Sequence, residues 1–250
     1  MKKIITLGLL ACALAATAFA ADSENAPDQV VRLGVDVDYN LVAMDQLNKQ
    51  LNKGTKVTNL NSGVSGMLDL DLAVAPFLTI GARGGYFSCA PASASYNYLV
   101  YDQTTTINTS LIPLEIGLGT NFAIPATPLS IMAGIYGGYG FASASIKNEI
   151  SALGQTATVT QPYTGGGFVG DLLAAINLRL FSALSLNING GYRLAKISQM
   201  VQSQDVSYNG IPFTSIPIGA KGDVLKDSDN NDMVFDFSGF HAGAGLSLGF

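Results

Sequence analysis

The sequence predicts an all-β chain: an antiparallel, up-and-down transmembrane β-barrel of eight strands over residues 21–250, preceded by a cleavable signal peptide over residues 1–20. Three observations lead there. Mean hydropathy is +0.32 and 12% of residues are charged, yet beyond the first twenty residues no apolar run approaches the length of about 20 that a membrane helix needs. Apolar residues recur instead at every second position, in eight separate segments. The connections between segments alternate short and long, the layout of barrels with tight turns at one end and loops at the other.

The chain opens with "MKKIITLGLLACALAATAFA": two lysines, a short apolar run and Ala18-Phe19-Ala20 as an A-x-A cleavage site. The rival reading, a lipobox at Leu9-Leu10-Ala11-Cys12, leaves an apolar region of only about eight residues, near the lower limit for such segments. Cleavage after Ala20 removes Lys2 and Lys3, taking Lys+Arg from 13 to 11 against 18 acids, a net charge of −7. Such an acidic chain argues against nucleic acid as a partner. Cys12 leaves with the leader, so Cys89 stands without an internal disulfide partner and reads as a small residue near a strand end.

The strands follow in order, near 30–40, 65–75, 77–88, 105–122, 128–147, 165–181, 183–198 and 233–250. In "VVRLGVDVDY", Val31, Leu33, Val35, Val37 and Tyr39 oppose Arg32, Gly34, Asp36 and Asp38. In "MLDLDLAV", Leu68, Leu70, Leu72 and Val74 oppose Asp69 and Asp71. Strand three sets Ile80, Ala82 and Tyr86 against Gly81 and Arg83, and strand four sets Ile112, Leu114, Ile116 and Leu118 against Glu115 and Gly117. The fifth has the weakest contrast, with Ile131, Ile135 and Tyr139 against Gly134 and Tyr136. The sixth and seventh set Leu172, Ile176, Ile188 and Leu194 against Asp171, Arg179, Asn187 and Arg193. The eighth, "FHAGAGLSLGF", puts Phe240, Leu246, Leu248 and Phe250 on one face and His241 on the other. Period two over so many residues excludes amphipathic helices. The short connections fall around Ala75-Pro76-Phe77, "AIPATP" and Ser182; the long polar ones cover 40–64, 88–105, 148–165 and 199–233.

A soluble barrel would alternate too, but would place its apolar face inward. Here aromatics gather at both ends of the strands: Phe77, Phe122, Phe181 and Phe250 near the short turns, and Tyr39, Tyr86, Phe141, Phe168, Tyr192 and Phe240 toward the long loops. Paired girdles of this kind mark two membrane surfaces. The other face, rich in glycine and charge, is too polar for a soluble core. Two departures stand out. Pro113 removes a ladder hydrogen bond from strand four, which a bulge would accommodate; Phe235 and Phe237 fall on the inward parity of strand eight, which requires a bulge or a position above the bilayer.

The inward set is the candidate site: Arg32, Asp36, Asp38, Asp69, Asp71, Arg83, Glu115, Asp171, Arg179, Arg193 and His241. An interior of eight strands is just wide enough for side chains to fill. Opposite charges there should pair, because an unpaired charge in a narrow dry space costs several kcal/mol. The glycine pairs Gly84-Gly85, Gly137-Gly138 and Gly190-Gly191 make room for Tyr136 and the arginines; no helix follows them, so they are not phosphate loops. "DSDNND" at 227–232 begins like a calcium loop but has Asp232 where glycine belongs and Ser238 where the last acid belongs. No catalytic residue, cofactor or metal is expected. His241 is the sole histidine, and Gly243 stands where the deacylase His-x-Ser pairing needs serine.

The terminal run resembles the C-terminal signature of bacterial outer-membrane proteins, with Ala242 and Ala244 smaller than usual. The chain as a whole is similar to the small eight-stranded group that includes the OmpA transmembrane domain and OmpX-like proteins. That resemblance implies residence in the outer membrane among its lipids and lipopolysaccharide. It also implies recognition of Phe240, Leu246, Leu248 and Phe250 by the barrel-assembly machinery. The long loops of mixed composition, the longest at 199–233, point to an extracellular ligand. The expected function is a structural or surface-interaction barrel with a plugged lumen. A narrow solute or ion channel is the alternative, and a lipid-modifying enzyme the third reading.

Overall fold

The computed structural model describes residues 30–75, 78–99, 101–152, 154–206 and 219–250. The signal peptide expected over residues 1–20, Phe77 and most of "SYNGIPFTSIPIG", a candidate extra hairpin, lie outside them. Eight strands form the barrel: β1 Val31–Leu41, β2 Ser62–Ala75, β3 Leu78–Cys89, β4 Asp102–Ala123, β5 Leu129–Ala152, β6 Gln155–Arg179, β7 Leu184–Ile197 and β8 Gly239–Gly249. Each pairs antiparallel with its neighbour in sequence, and β8 pairs with β1, so the ring has no open edge.

The register fixes the shape. A path from Asn40 through His241, Gly191, Leu173, Gly134, Gly119, Thr79 and Ala73 returns to β1 at Val30, ten residues from its start. With about 4.8 Å between strands and about 3.3 Å per residue, that stagger gives a tilt of about 41° and a radius of about 8 Å. An interior this narrow is filled by side chains.

The outside of the ring is apolar. Val37, Leu68, Ile116, Ile135, Leu172 and Ile188 are all more than half exposed. Such a surface is stable only against lipid, and closure satisfies the backbone that lipid cannot. From Ile131 to Phe141, β5 rises about 25 Å at this tilt, the height of an outer-membrane-type apolar band. Exposed Phe122 and Phe181 stand at the turn end. Tyr39, Tyr86, Tyr139, Phe141, Phe168 and Phe240 stand at the other, where Tyr192 and Phe240 meet edge-on at 4.9 Å.

Three strands run far beyond that girdle. The sequence assigned 88–105 and 148–165 to loops, but β4, β5 and β6 span 22, 24 and 25 residues and take up most of both segments. Two short strands, Lys56–Thr58 and Ala92–Asn97, add to one side, and Val201–Gln202 adds to the other. The result is a sheet standing roughly 25 Å above the girdle on one wall of the barrel.

Pro113 needs no bulge. The β3–β4 register is the same on both sides of it; pairing is interrupted across Gly85-Tyr86 and resumes at Phe87 with Leu111. Phe235 and Phe237 keep the register of β8 along β7 as well, so both point inward above the bilayer.

Candidate functional site: the lumen and its cover

Strand alternation carries nine of the eleven inward residues named from sequence into a buried interior. Asp36, Asp38, Asp69, Asp71, Arg83, Glu115, Asp171, Arg193 and His241 are each at most 8% exposed. Arg32 is half-buried near the turn end. Arg179 is a correction: it has the inward parity, but it ends β6 at the turn and is exposed. The lumen stops one residue pair too early to hold it.

Most of these charges fall into two groups. Asp171 is the centre of one, receiving Arg193 at 3.2 Å and Arg83 at 3.6 Å, with His241 Nε2 at 3.0 Å. Arg83 also holds Asp69 at 2.5 Å and lies 5.1 Å from the centre of the Tyr136 ring. The second group lies nearer the turns. Arg32 binds Asp71 at 2.5 Å and the amide oxygen of Asn177 at 3.3 Å, and the Tyr136 hydroxyl reaches Asp71 at 3.4 Å. Tyr136 lies flat because Gly81, Gly117 and Gly134 face it; a β-carbon on any of them would come within 3 Å of its ring. These are not the glycine pairs expected from sequence. Of those, Gly191 makes room for His241 and Gly85 for Met67, while Gly137 faces outward against Phe168.

Catalysis finds no machinery at His241. Nε2 contacts Asp171, whereas Nδ1 is buried with no hydrogen-bond partner, so no hydroxyl nucleophile is poised on the ring. Among the described residues no three His, Cys, Asp or Glu side chains gather as a metal site.

Above the charges both faces of the barrel wall reverse. Along the outside, Tyr86 gives way to Ser88, Ile112 to Ser110 and Phe141 to Ser143. Along the inside, Glu115 gives way to Leu111, Asp171 to Val169, Arg193 to Ala195 and His241 to Phe237. Alternation continues unbroken while the chemistry of the two faces exchanges, because the medium outside changes from lipid to water at the girdle. The inner side above the girdle is a soluble-type core of Phe87, Leu111, Tyr163, Ile197, Met200, Phe235 and Phe237. Phe87 and Phe237 meet edge-on at 6.0 Å, and Arg193 lies beneath Phe87 with its guanidinium 5.9 Å from the ring centre.

A helix closes this core from above. In α1, Asp45–Leu51, Leu47 and Leu51 face the core, and Met44 enters the helix at φ 40°. Asn48 locks it in place: its Nδ2 donates to Leu60 O at 3.0 Å and its Oδ1 accepts from Leu60 N at 2.8 Å. Gln46 ties it to the opposite loop, donating to Asp227 at 2.9 Å and accepting from Val234 N at 2.7 Å. Asp227 also accepts the amides of Asn231 and Asp229, each at 2.9 Å, and those bonds hold its carboxyl below the usual range. The acid-rich loop is thus an internally bonded turn among the described residues.

The outer face of the sheet above the girdle is short, polar and nearly neutral. It presents Ser93, Ser95, Thr104, Thr106, Ser143, Ser145, Thr156, Thr158 and Thr160, while Lys147 and Glu149 pair at 2.7 Å. At its foot, just above Tyr86, is an open depression of about 350 Å³ lined by Ser88, Asn108, Ser110, Ser143 and Ser145. Sequence reasoning passed over this sheet. The signal was present in "TATVTQPY", where Thr156, Thr158 and Thr160 alternate with Ala157 and Val159.

No family model matches the sequence, and no curated protein matches it significantly. Solved structures similar to it include OprG from Pseudomonas aeruginosa, an outer-membrane protein, at 13% identity over 91% of this chain and 99% of that one, TM-score 0.42. Neisserial surface protein A aligns at 9% identity over 88% and 97%, TM-score 0.38. CarO from Acinetobacter baumannii aligns at 11% over 90% and 100%, TM-score 0.34. The assignment of fold here stands on the closed ring of strand pairs and on the exposed apolar band.

Proposed function

We propose that this chain is an outer-membrane β-barrel, sealed to solutes, that works by surface interaction through its extracellular sheet. The observation that supports the reading best is the apolar core in the mouth: Phe87, Phe235 and Phe237 are each at most 1% exposed, directly above the charged network. A conducting pore would need a wetted mouth there. The same strands that cross the bilayer rise without interruption into the hydroxyl face, so whatever surrounds the barrel in its leaflet meets that face first. Serine and threonine hydroxyls both donate and accept, as sugar hydroxyls do, whereas lysine only donates and glutamate only accepts. The sugars of lipopolysaccharide are therefore the partner we assign to this face, and the depression above Tyr86 is the place of closest contact. The outward Phe240, Leu246, Leu248 and Phe250 of the last strand serve as the assembly signal.

The test is single-channel recording from the refolded barrel in a planar bilayer. We expect silence from the wild type. Steady openings whose ion selectivity shifts with Asp69→Asn or Arg83→Gln would replace this reading with that of a narrow channel.

A further inference from the structure

The charges of the lumen do not cancel. Six buried carboxylates share it with Arg83, Arg193 and the half-buried Arg32. The arginines and His241 occupy Asp69, Asp71 and Asp171. Glu115 lies across the β3–β4 ladder from Arg83 but has no ion pair among the described residues, and both its oxygens are buried without a hydrogen-bond partner. Asp36 and Asp38 have no ion pair among the described residues. Ser65 donates to one oxygen of Asp38 at 3.3 Å; the other oxygen, and Oδ1 of Asp36, are buried without a hydrogen-bond partner.

What surrounds these two acids is oxygen. Across the strand pairs, Asp36, Gly245 and Asn187 form one inward row, and Asp38, Gly243 and Asn189 the next. The glycines leave the middle of each row open, and the acids lean into it. A methyl group on Gly245 would strike both Asp36 Oδ1 and Asn187 Oδ1, and one on Gly243 would strike Asp38 Oδ1. Asn187 and Asn189 are 5% and 6% exposed; Asn187 Oδ1 and both amide atoms of Asn189 lack partners. Asp36 and the Asn187 amide oxygen thus converge over Gly245, and Asp38 leans over Gly243 in the row of the unpartnered Asn189 amide, in a space where uncompensated charge costs several kcal/mol.

We propose that this cradle binds a hard divalent cation, for which Ca²⁺ is the probe. Carboxylate and amide oxygens with water are the donors such ions take, six to eight at about 2.3–2.6 Å. One double charge balances Asp36 and Asp38, two of the three buried carboxylates without an ion pair among the described residues. Successive rows stand about 7 Å apart, so an ion between them draws in both Asp36 and Asp38 by rotation of their short side chains.

The experiment uses the refolded barrel, stripped with EDTA, then equilibrated with radioactive CaCl₂ in detergent. Heat-modifiable gel mobility reports the folded fraction in parallel. One saturable Ca²⁺ per barrel is expected, and it should raise the temperature at which the folded band is lost. Asp36→Asn with Asp38→Asn, and separately Asn189→Ala, should weaken binding by about tenfold or more. Asp227→Ala, in the outer loop, should leave it unchanged. If the double variant does not fold, Asn189→Ala decides alone. Absence of bound Ca²⁺, binding unaltered by the cradle variants, or binding lost with Asp227→Ala would overturn the proposal. So would a folded state that responds to protons but not to Ca²⁺, since shared protons would then neutralise the acids.

Discussion

The exchange of faces at the girdle makes a quantitative prediction about arginine placed on the outside of β4. Ile116 is 73% exposed and faces outward two rows below Ile112, the last apolar residue of the band. Four residues at the barrel tilt put it about 10 Å beneath that edge, close to the middle of a band about 25 Å tall. Ile116→Arg should cost about 2–4 kcal/mol there, falling to about 0–1 near the interface. Ser110 lies one row above Ile112 and Ser145 two rows above Phe141, so Ser110→Arg and Ser145→Arg should each cost less than about 1 kcal/mol. The chain has no tryptophan, so the assay is the folded band on unheated gels across a guanidinium series in phospholipid vesicles. A loss of about 3 kcal/mol moves the midpoint by roughly 1 M. Equal midpoints for Ile116→Arg and Ser145→Arg would refute the placement of the membrane edge, and with it the account of why the two faces exchange.

Other outcomes follow from the same geometry. Phe237→Ala should empty a fully buried site in the mouth and cost about 3–5 kcal/mol, read as a lower denaturant midpoint. Asp171→Ala removes the shared partner of Arg83, Arg193 and His241 and should cost a similar amount, about 3–5 kcal/mol, whereas exposed Arg179→Ala should stay within about 0.5 kcal/mol. Asp227 has its folded pKa lowered, first by the amide of Asn231. Its contribution is therefore present above the unfolded pKa and lost as pH falls through the folded one. Hydrogen exchange at the amides of Asp229 and Asn231 should lose protection over that acid range, and Asp227→Ala should abolish the pH dependence.

Strand existence and the facing of nearly every lumen residue were legible in the sequence, because a period of two assigns a side as soon as one residue's side is known. Asp36, Asp38, Asp69, Glu115 and His241 all lie where parity puts them. Strand length was less legible. Beyond Ile112 and Phe141 the outward residues become serine and threonine, and an alternation of hydroxyls with alanines has too little contrast to separate from a polar loop. The same change of medium explains Phe235 and Phe237, whose inward parity conflicts with a polar lumen but suits the apolar core above it.

The sequence by itself thus determined the strand order, the outward and inward faces and the ends of the lipid band, since each depends on local alternation and on where aromatics fall. The tertiary structure decided what local pattern does not encode. The ten-residue stagger brought Asp171 on β6 together with Arg83 on β3 and His241 on β8. It also set Asp36 and Asp38 opposite Asn187 and Asn189 across two glycines, and seated α1 over the mouth. These contacts join residues 70 to 188 positions apart, and closing the ring is the event that fixes them.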